Sequence, residues 1–182
     1  MSAKKIFKAL KIGYFQLLRV VCFFVFRLFK PHNLSWLKNA LARSLYDGLG
    51  RGCIISPDLF VFNGDNFSTG SGCSFGYTFK VFDFSSVMIG DGLLASHNVT
   101  IISGTHEINK ERTYLAAPIK IGDNVWIGAN VVIVGPCVIG NDCIIGANSF
   151  VTGNISAGCI YAGSPAKFIR KVDCAVNNNG NF

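Results

Sequence analysis

Charge is scarce in this sequence, at 15% of 182 residues, and one sign of it is missing from the start: residues 1–30 hold no Asp or Glu. Histidine is nearly absent too, with three copies, His32, His97 and His106. None of the seven cysteines falls in a CxxC pair, and their odd count argues against a disulfide framework. The thiols read as reduced and buried, in a cytoplasmic protein. No signal-peptide cleavage pattern follows the N-terminal apolar run, where Phe29, Lys30, Pro31 and His32 are the wrong residues. Beyond residue 30, basic and acidic side chains balance at ten each, without the spread of cations that nucleic-acid binding requires. The second half of the chain shows neither a helical period nor simple alternation.

What it shows instead is a period of six. An aliphatic side chain recurs at Ile121, Ile127, Ile133, Ile139, Ile145 and Val151, ending at the smaller Ala157. Glycine usually follows it, and Asn124, Asn130, Pro136, Asp142, Asn148 or Asn154 comes three residues after it. A second inward-sized residue comes four after: Val125, Val131, Cys137, Cys143, Ser149, Ile155. The pattern predicts strands of two or three residues joined by tight corners, with Gly and Asn taking backbone angles that other residues resist. Repetition at so short a period marks a β-solenoid whose rungs bury their aliphatics on one another. At roughly 1.5–3 kcal/mol per buried Ile or Val, this column is the main source of stability.

The positive charge belongs to one arm. Residues 1–31 read as a basic amphipathic helix, with Lys4, Lys5, Lys8, Lys11, Arg19, Arg27 and Lys30 in one half of the wheel and Ile6, Phe7, Leu10, Tyr14, Leu17, Val21, Phe24 and Leu28 in the other. Such a helix suits peripheral contact with an anionic membrane surface. Packing on the protein's own oligomer is the alternative, and Arg19 and Arg27 stand against a spanning segment. Residues 32–50 read as a short helix capped by Ser35, then a linker. Residues 51–172 read as the β-helix. Its first coils are expected to be irregular, because Phe60, Phe62, Phe67, Phe75, Phe79, Phe82 and Phe84 are bulky for a narrow rung, so that some rings face out or lie under the N-terminal helices. Residues 173–182, with an Asn-Asn-Asn-Gly-Asn run, read as a disordered tail.

The phase of six is clean from Ile89 through Ala95 to Ile101, then fails before Ile121. A polar segment between Ser103 and Pro118 must therefore be extruded. Such an excursion costs ordering entropy and buries little, so it points to function. It contains His106.

The run Gly104-Thr105-His106, followed by Pro118-Ile119-Lys120-Ile121-Gly122-Asp123-Asn124-Val125-Trp126-Ile127-Gly128, resembles the hexapeptide-repeat acyltransferases. So do Ile145-Gly146-Ala147-Asn148-Ser149-Phe150-Val151-Thr152 and Ala162-Gly163-Ser164-Pro165-Ala166-Lys167. The similar branch holds the maltose and galactoside acetyltransferases and the O-acetyltransferases of bacterial surface polysaccharides. The resemblance covers about Val87 to Val172. It implies an all-β fold, a left-handed parallel β-helix, here with N-terminal helices and one extruded loop. It also implies a homotrimer, with acetyl-CoA bound in clefts between subunits.

Carried over residue by residue, the resemblance places His106 as the catalytic base. It places Trp126, Ala129, Ala147 and Thr152 along the pantetheine groove, and Lys167 and Arg170 at the CoA phosphates. Asp83 matches an acid that faces the acceptor, although a corner Asp satisfying turn amides fits the residue equally. Two departures stand out. Val151-Thr152-Gly153-Asn154 lacks the lysine of the family's Val-Thr-Lys-Asp, and Gly76 replaces an acceptor-binding Asn of simple-sugar members.

The chemistry fits these residues. Acetyl transfer to a hydroxyl needs a base for its proton, and neutral imidazole suits that at cytoplasmic pH. Glu107 and Glu111 are within reach in sequence to orient the ring. His97 reads as solvent-facing or structural, with a cleft-lining role as the alternative. The expectation is an acetyl-CoA-dependent O-acetyltransferase acting on a sugar or lipid-linked glycan acceptor in surface-polysaccharide assembly, at the inner face of the plasma membrane. A serine-type or other small-molecule acetyltransferase uses the same chemistry. A non-catalytic β-helix scaffold gives no account of the His106 loop, Trp126 and the Lys167/Arg170 pair occurring together. A three-histidine zinc site of the γ-carbonic anhydrase kind lacks its third histidine in the body.

Overall fold

The computed structural model describes residues 48–56 and 58–172. The helical arm expected over residues 1–31, the short helix expected after it and the tail from residue 173 lie outside the described residues. Within them the chain is all strand and turn, wound as a parallel β-helix of three-sided coils. The first face stacks Ile54–Ile55, Ser74–Phe75, Leu94–Ala95, Trp126–Ile127, Ile144–Ile145 and Cys159–Ala162 in parallel register. The second stacks Phe60–Val61, Lys80–Phe82, Thr100–Ile102 and the leading halves of Val132–Ile139 and Phe150–Ile155. The third stacks Phe67–Thr69, Val87–Ile89, Ile119–Ile121 and the trailing halves of those two long strands. No helix among the described residues is long and apolar enough to cross a membrane.

The period of six works as read. Ile121, Val125, Ile127, Val131, Ile133, Cys137, Ile139, Cys143, Ile145, Ser149, Val151 and Ile155 are all buried inside the coil. Corners take positive φ at Asn98, Asn124, Asn130, Asp142 and Asn148, where a short polar side chain tolerates the left-handed region. The side-chain amides at one of these corners pair from coil to coil: Asn98 donates to Asn130, and Asn130 to Asn148.

Two expectations need correction. The early coils are regular, not irregular: each advances by 20 residues, as in the Ile54, Ser74, Leu94 stack, whereas later coils advance by 18, as from Trp126 to Ile144. The added width admits rings, and Phe67, Phe75 and Phe79 are fully inside, Phe75 and Phe79 edge to face at 4.9 Å. The column also does not end at Ala157, which is exposed. The last coil is two residues short, pairing Ile139 with Ile155 and Ile144 with Ile160, so that Ile155 takes the buried position instead.

All of this variation occurs at one corner, between the second and third faces. Inward positions flank it as Val61 and Phe67, then Val81 and Val87, before the extruded loop; later they close to Ile133 and Cys137, and then to Val151 and Gly153. The corner that tolerates two residues more or two fewer is the one that releases the loop.

Candidate functional site

The loop leaves and returns through a rigid root. Ser103 and Ala117 are buried, and the Ala117 N–H donates to the Ser103 carbonyl at 3.1 Å. Ser103 Oγ accepts from the Ser85 N–H at 2.9 Å, and Ser85 Oγ donates to the Ser103 carbonyl at 2.6 Å, which ties the root to the preceding corner. Between these ends Gly104–His106 and Tyr114–Ala116 pair as an antiparallel ribbon, with Tyr114 directly opposite His106. A side chain at Gly104 would strike the Tyr114 and Phe84 rings, which close over it at 2.9 and 3.0 Å.

At the end of this ribbon His106 is exposed. Its Nδ1 lies 2.7 Å from the carbonyl oxygen of Arg112. A backbone carbonyl only accepts, so Nδ1 carries the proton and Nε2 of the neutral ring is left with its lone pair. That is the form a general base requires. The ring stands edge to face with Tyr114 at 6.1 Å, and Tyr114 in turn with Phe84 at 6.4 Å. An open cleft of about 750 Å³ is lined by His106, Glu107, Ile108, Asn109, Lys110 and Arg112.

Of the two acids the sequence offered as orienters, Glu107 is engaged elsewhere. Glu107 Oε2 accepts from Asn109 Nδ2 at 2.6 Å, and the imidazole is held by backbone instead. Sequence reasoning missed the Arg112 carbonyl, because a backbone acceptor has no residue signature. The available signal was Asn109, three residues before Arg112, a spacing at which Asn caps a turn.

Asp83 sits at the corner that follows Lys80–Phe82. It is fully buried, and its carboxylate accepts backbone N–H groups from Asn63 at 2.7 Å, Gly64 at 2.8 Å and Asn66 at 3.3 Å. The carboxylate thus satisfies turn amides, the structural role open to it in the sequence. It gives the wide corner below it the partners that its backbone would otherwise lack.

Apart from Thr152, the residues expected at the donor lie elsewhere on the coil. Trp126 points outward from the first face, half exposed, between Leu94 and Ile144. Ala129 and Ala147 stack at the next corner, linked by the Asn148 N–H to the Ala129 carbonyl at 2.8 Å. Lys167 and Arg170 are exposed on Lys167–Lys171, the strand that closes the first face antiparallel to Cys159–Ala162. Thr152 is exposed at the corner shared with the loop. In a three-sided coil that corner lies across from the first face. One chain therefore does not bring His106 together with Trp126, Ala129 or Ala147.

His97 stacks on Tyr77 at 5.6 Å, with its Nδ1 accepting the Tyr77 N–H at 3.1 Å, so its proton is on Nε2. No described cysteine is poised for chemistry. Cys53, Cys73, Cys137, Cys143 and Cys159 are buried and free, and burial pushes the Cys73 and Cys137 thiols up to about 11.

Comparison with known proteins agrees with this architecture. The family described as "Bacterial transferase hexapeptide (six repeats)" matches residues 118–153. The galactoside O-acetyltransferase of Escherichia coli K12 is 32% identical over 140 residues, covering 75% of this chain and 69% of that protein. A crystal structure of a maltose O-acetyltransferase from Clostridium difficile 630 superposes with a TM-score of 0.72 at 27% identity, over 88% of this chain and 89% of that one. A galactoside acetyltransferase in complex with coenzyme A superposes with a TM-score of 0.69 at 27% identity, over 89% and 82%.

Proposed function

The chain belongs to the hexapeptide-repeat acetyltransferases, an acyltransferase family, and from that premise we propose that it moves the acetyl group of acetyl-CoA to a sugar hydroxyl with His106 as general base. The observation that carries the assignment of the base is the 2.7 Å contact between Nδ1 and the Arg112 carbonyl, which leaves Nε2 unprotonated at an exposed edge. As the acceptor oxygen attacks the thioester carbonyl, Nε2 takes its proton. When the C–S bond breaks, the imidazolium returns that proton to the departing sulfur. The negative charge on the carbonyl oxygen between these steps is met by a backbone N–H of the β-helix.

The donor lies in a groove shared by neighbouring subunits of a homotrimer. Trp126, Ala129, Ala147 and Thr152 flank the pantetheine arm, and Lys167 and Arg170 meet the phosphates through charge-assisted hydrogen bonds. Two observations support assembly. His106 and Trp126 belong to opposite sides of one coil, and the first face turns Leu94 and Trp126 outward side by side, with Ile54 beyond Ser74.

The acceptor is a sugar of bacterial surface polysaccharide, O-antigen or capsule, built at the cytoplasmic face of the membrane. The basic arm of residues 1–30 supports this, because tethering concentrates an enzyme beside a polyprenyl-linked substrate. The test is acetyl transfer from labelled acetyl-CoA to glycan precursors by the pure protein, with His106→Ala alongside. Turnover should fall by about 10²–10⁴-fold in the variant while the folded oligomer persists. Unchanged turnover removes the base. Deleting residues 1–30 should release the protein from membrane vesicles, and an unaltered membrane fraction removes the tether.

A further inference from the structure

The tip of the loop is organised around Asn109, a residue with no part in the chemistry above. Asn109 Oδ1 accepts the backbone N–H of Arg112 at 2.7 Å, while its Nδ2 donates to Glu107 Oε2 at 2.6 Å. The ribbon closes below it through the Glu107 N–H to the Thr113 carbonyl at 2.9 Å. Arg112 is held at φ +48°, in the left-handed region that a residue with a Cβ enters at a cost. In that conformation its carbonyl meets His106 Nδ1. One side-chain oxygen thus fixes the amide of a strained residue, and the carbonyl of the same residue fixes the imidazole.

We propose that Asn109 is the positioning residue for His106: by holding Arg112 in the left-handed conformation, it selects the Nδ1–H tautomer and aims Nε2 at the acceptor. Without that cap Arg112 relaxes to negative φ, its carbonyl turns away, and the ring samples both tautomers and a wider range of angles. Only the tautomer with an unprotonated, correctly aimed Nε2 can act as base. The proposal rests on His106 being that base.

The molecule contains its own control. His97 Nδ1 accepts a backbone N–H, so the two described histidines are held in opposite tautomers. With the full chain labelled with ¹⁵N-histidine, long-range proton–nitrogen spectra of the neutral rings should show His106 as Nδ1–H and His97 as Nε2–H. In Asn109→Ala, His106 should become a mixture while His97 stays as it was. The kcat should fall about tenfold, within the 10²–10⁴-fold a positioned base contributes, with KM for acetyl-CoA unchanged. Asn109→Asp keeps an oxygen facing the Arg112 amide and should retain the Nδ1–H tautomer and most of kcat.

A pure Nδ1–H signal with unaltered kcat in folded Asn109→Ala overturns the proposal. So does an Asn109→Asp protein that loses the tautomer as completely as Asn109→Ala. Failure of the underlying reading is distinguishable: His106→Gln at full turnover removes the base, and the positioning role with it, even if the tautomer shift is seen.

Discussion

Ala117 donates its backbone N–H to the carbonyl of Ser103 at 3.1 Å, and that buried pair is where the coil opens and closes around the histidine loop. The pair rests on Gly135 in the coil above, where any Cβ would collide with the Ala117 carbonyl and carbonyl carbon. Neither obstacle is a flexible side chain, so the root itself has to shift. Gly135→Ala is expected to cost about 1–3 kcal/mol of stability, as overpacking does. It should also reduce kcat further than that loss explains, because misplacing a catalytic group by about 1 Å costs on the order of 10²-fold. Urea unfolding and steady-state kinetics on the same preparation check both parts. Lost stability with wild-type kcat would show that the root does not set the position of the loop.

Removal of the Asp83 carboxylate should damage the fold and spare the chemistry. Three backbone amides of the preceding corner end on that buried group, and two side-chain amides, of Asn63 and Asn66, end on its backbone carbonyl. Hydrogen bonds to a charged group are worth about 1.5–3 kcal/mol each, so Asp83→Ala is expected to cost about 3 kcal/mol or more. Below its lowered melting transition the variant should keep the wild-type KM for acceptor. A raised acceptor KM with unchanged stability would instead restore the acid to the acceptor site.

Those two residues illustrate where the sequence was legible. A coil that buries one side chain at each fixed step writes its own period, so Ile121 through Ile155 could be placed inside, and the failure of phase after Ile101 located the loop. Corner width leaves no such mark. The Asp83 bonds reach back 20 residues in sequence to Asn63, and only the stacked coil brings those residues together. Ala157 was misplaced for a related reason: the last coil loses two residues near Thr152 and Gly153, downstream of an otherwise unbroken period. His106 was legible as a side chain, but the group that sets its tautomer is a main-chain carbonyl six residues away, which any residue at position 112 supplies.

The buried thiols give a pH dependence of known sign. Burial raises Cys73 and Cys137 from 9.0 to about 11 in the fold, so the native state holds those protons when an unfolded chain has released them. The stabilisation is complete below about pH 9 and is lost as pH rises through about 11, since stability falls wherever the folded state binds more protons. Denaturation midpoints should therefore decline between pH 9 and 11, with the slope reduced in Cys137→Ala. At pH 8 the thiols of the described residues should react with an aromatic disulfide only after unfolding. Rapid labelling of Cys137 in the native protein would contradict the burial on which both expectations rest.

The arrangement across the coil makes the strongest demand on assembly. His106 projects from the corner between the second and third faces, whereas Trp126 stands on the first face, with the packed core of the coil between them. If one acetyl-CoA is to meet both, the imidazole and the indole come from different subunits. His106→Ala and Trp126→Ala chains, each nearly inactive alone, should then complement when co-expressed with different tags and purified as mixed oligomers. In randomly assembled trimers about one interface in four joins an intact histidine to an intact tryptophan, because each subunit gives a different surface to each neighbour. Mixed oligomers are expected to recover activity toward that fraction. If mixing restores nothing while each variant still binds its partners, both residues serve one subunit's site, and the shared groove is wrong.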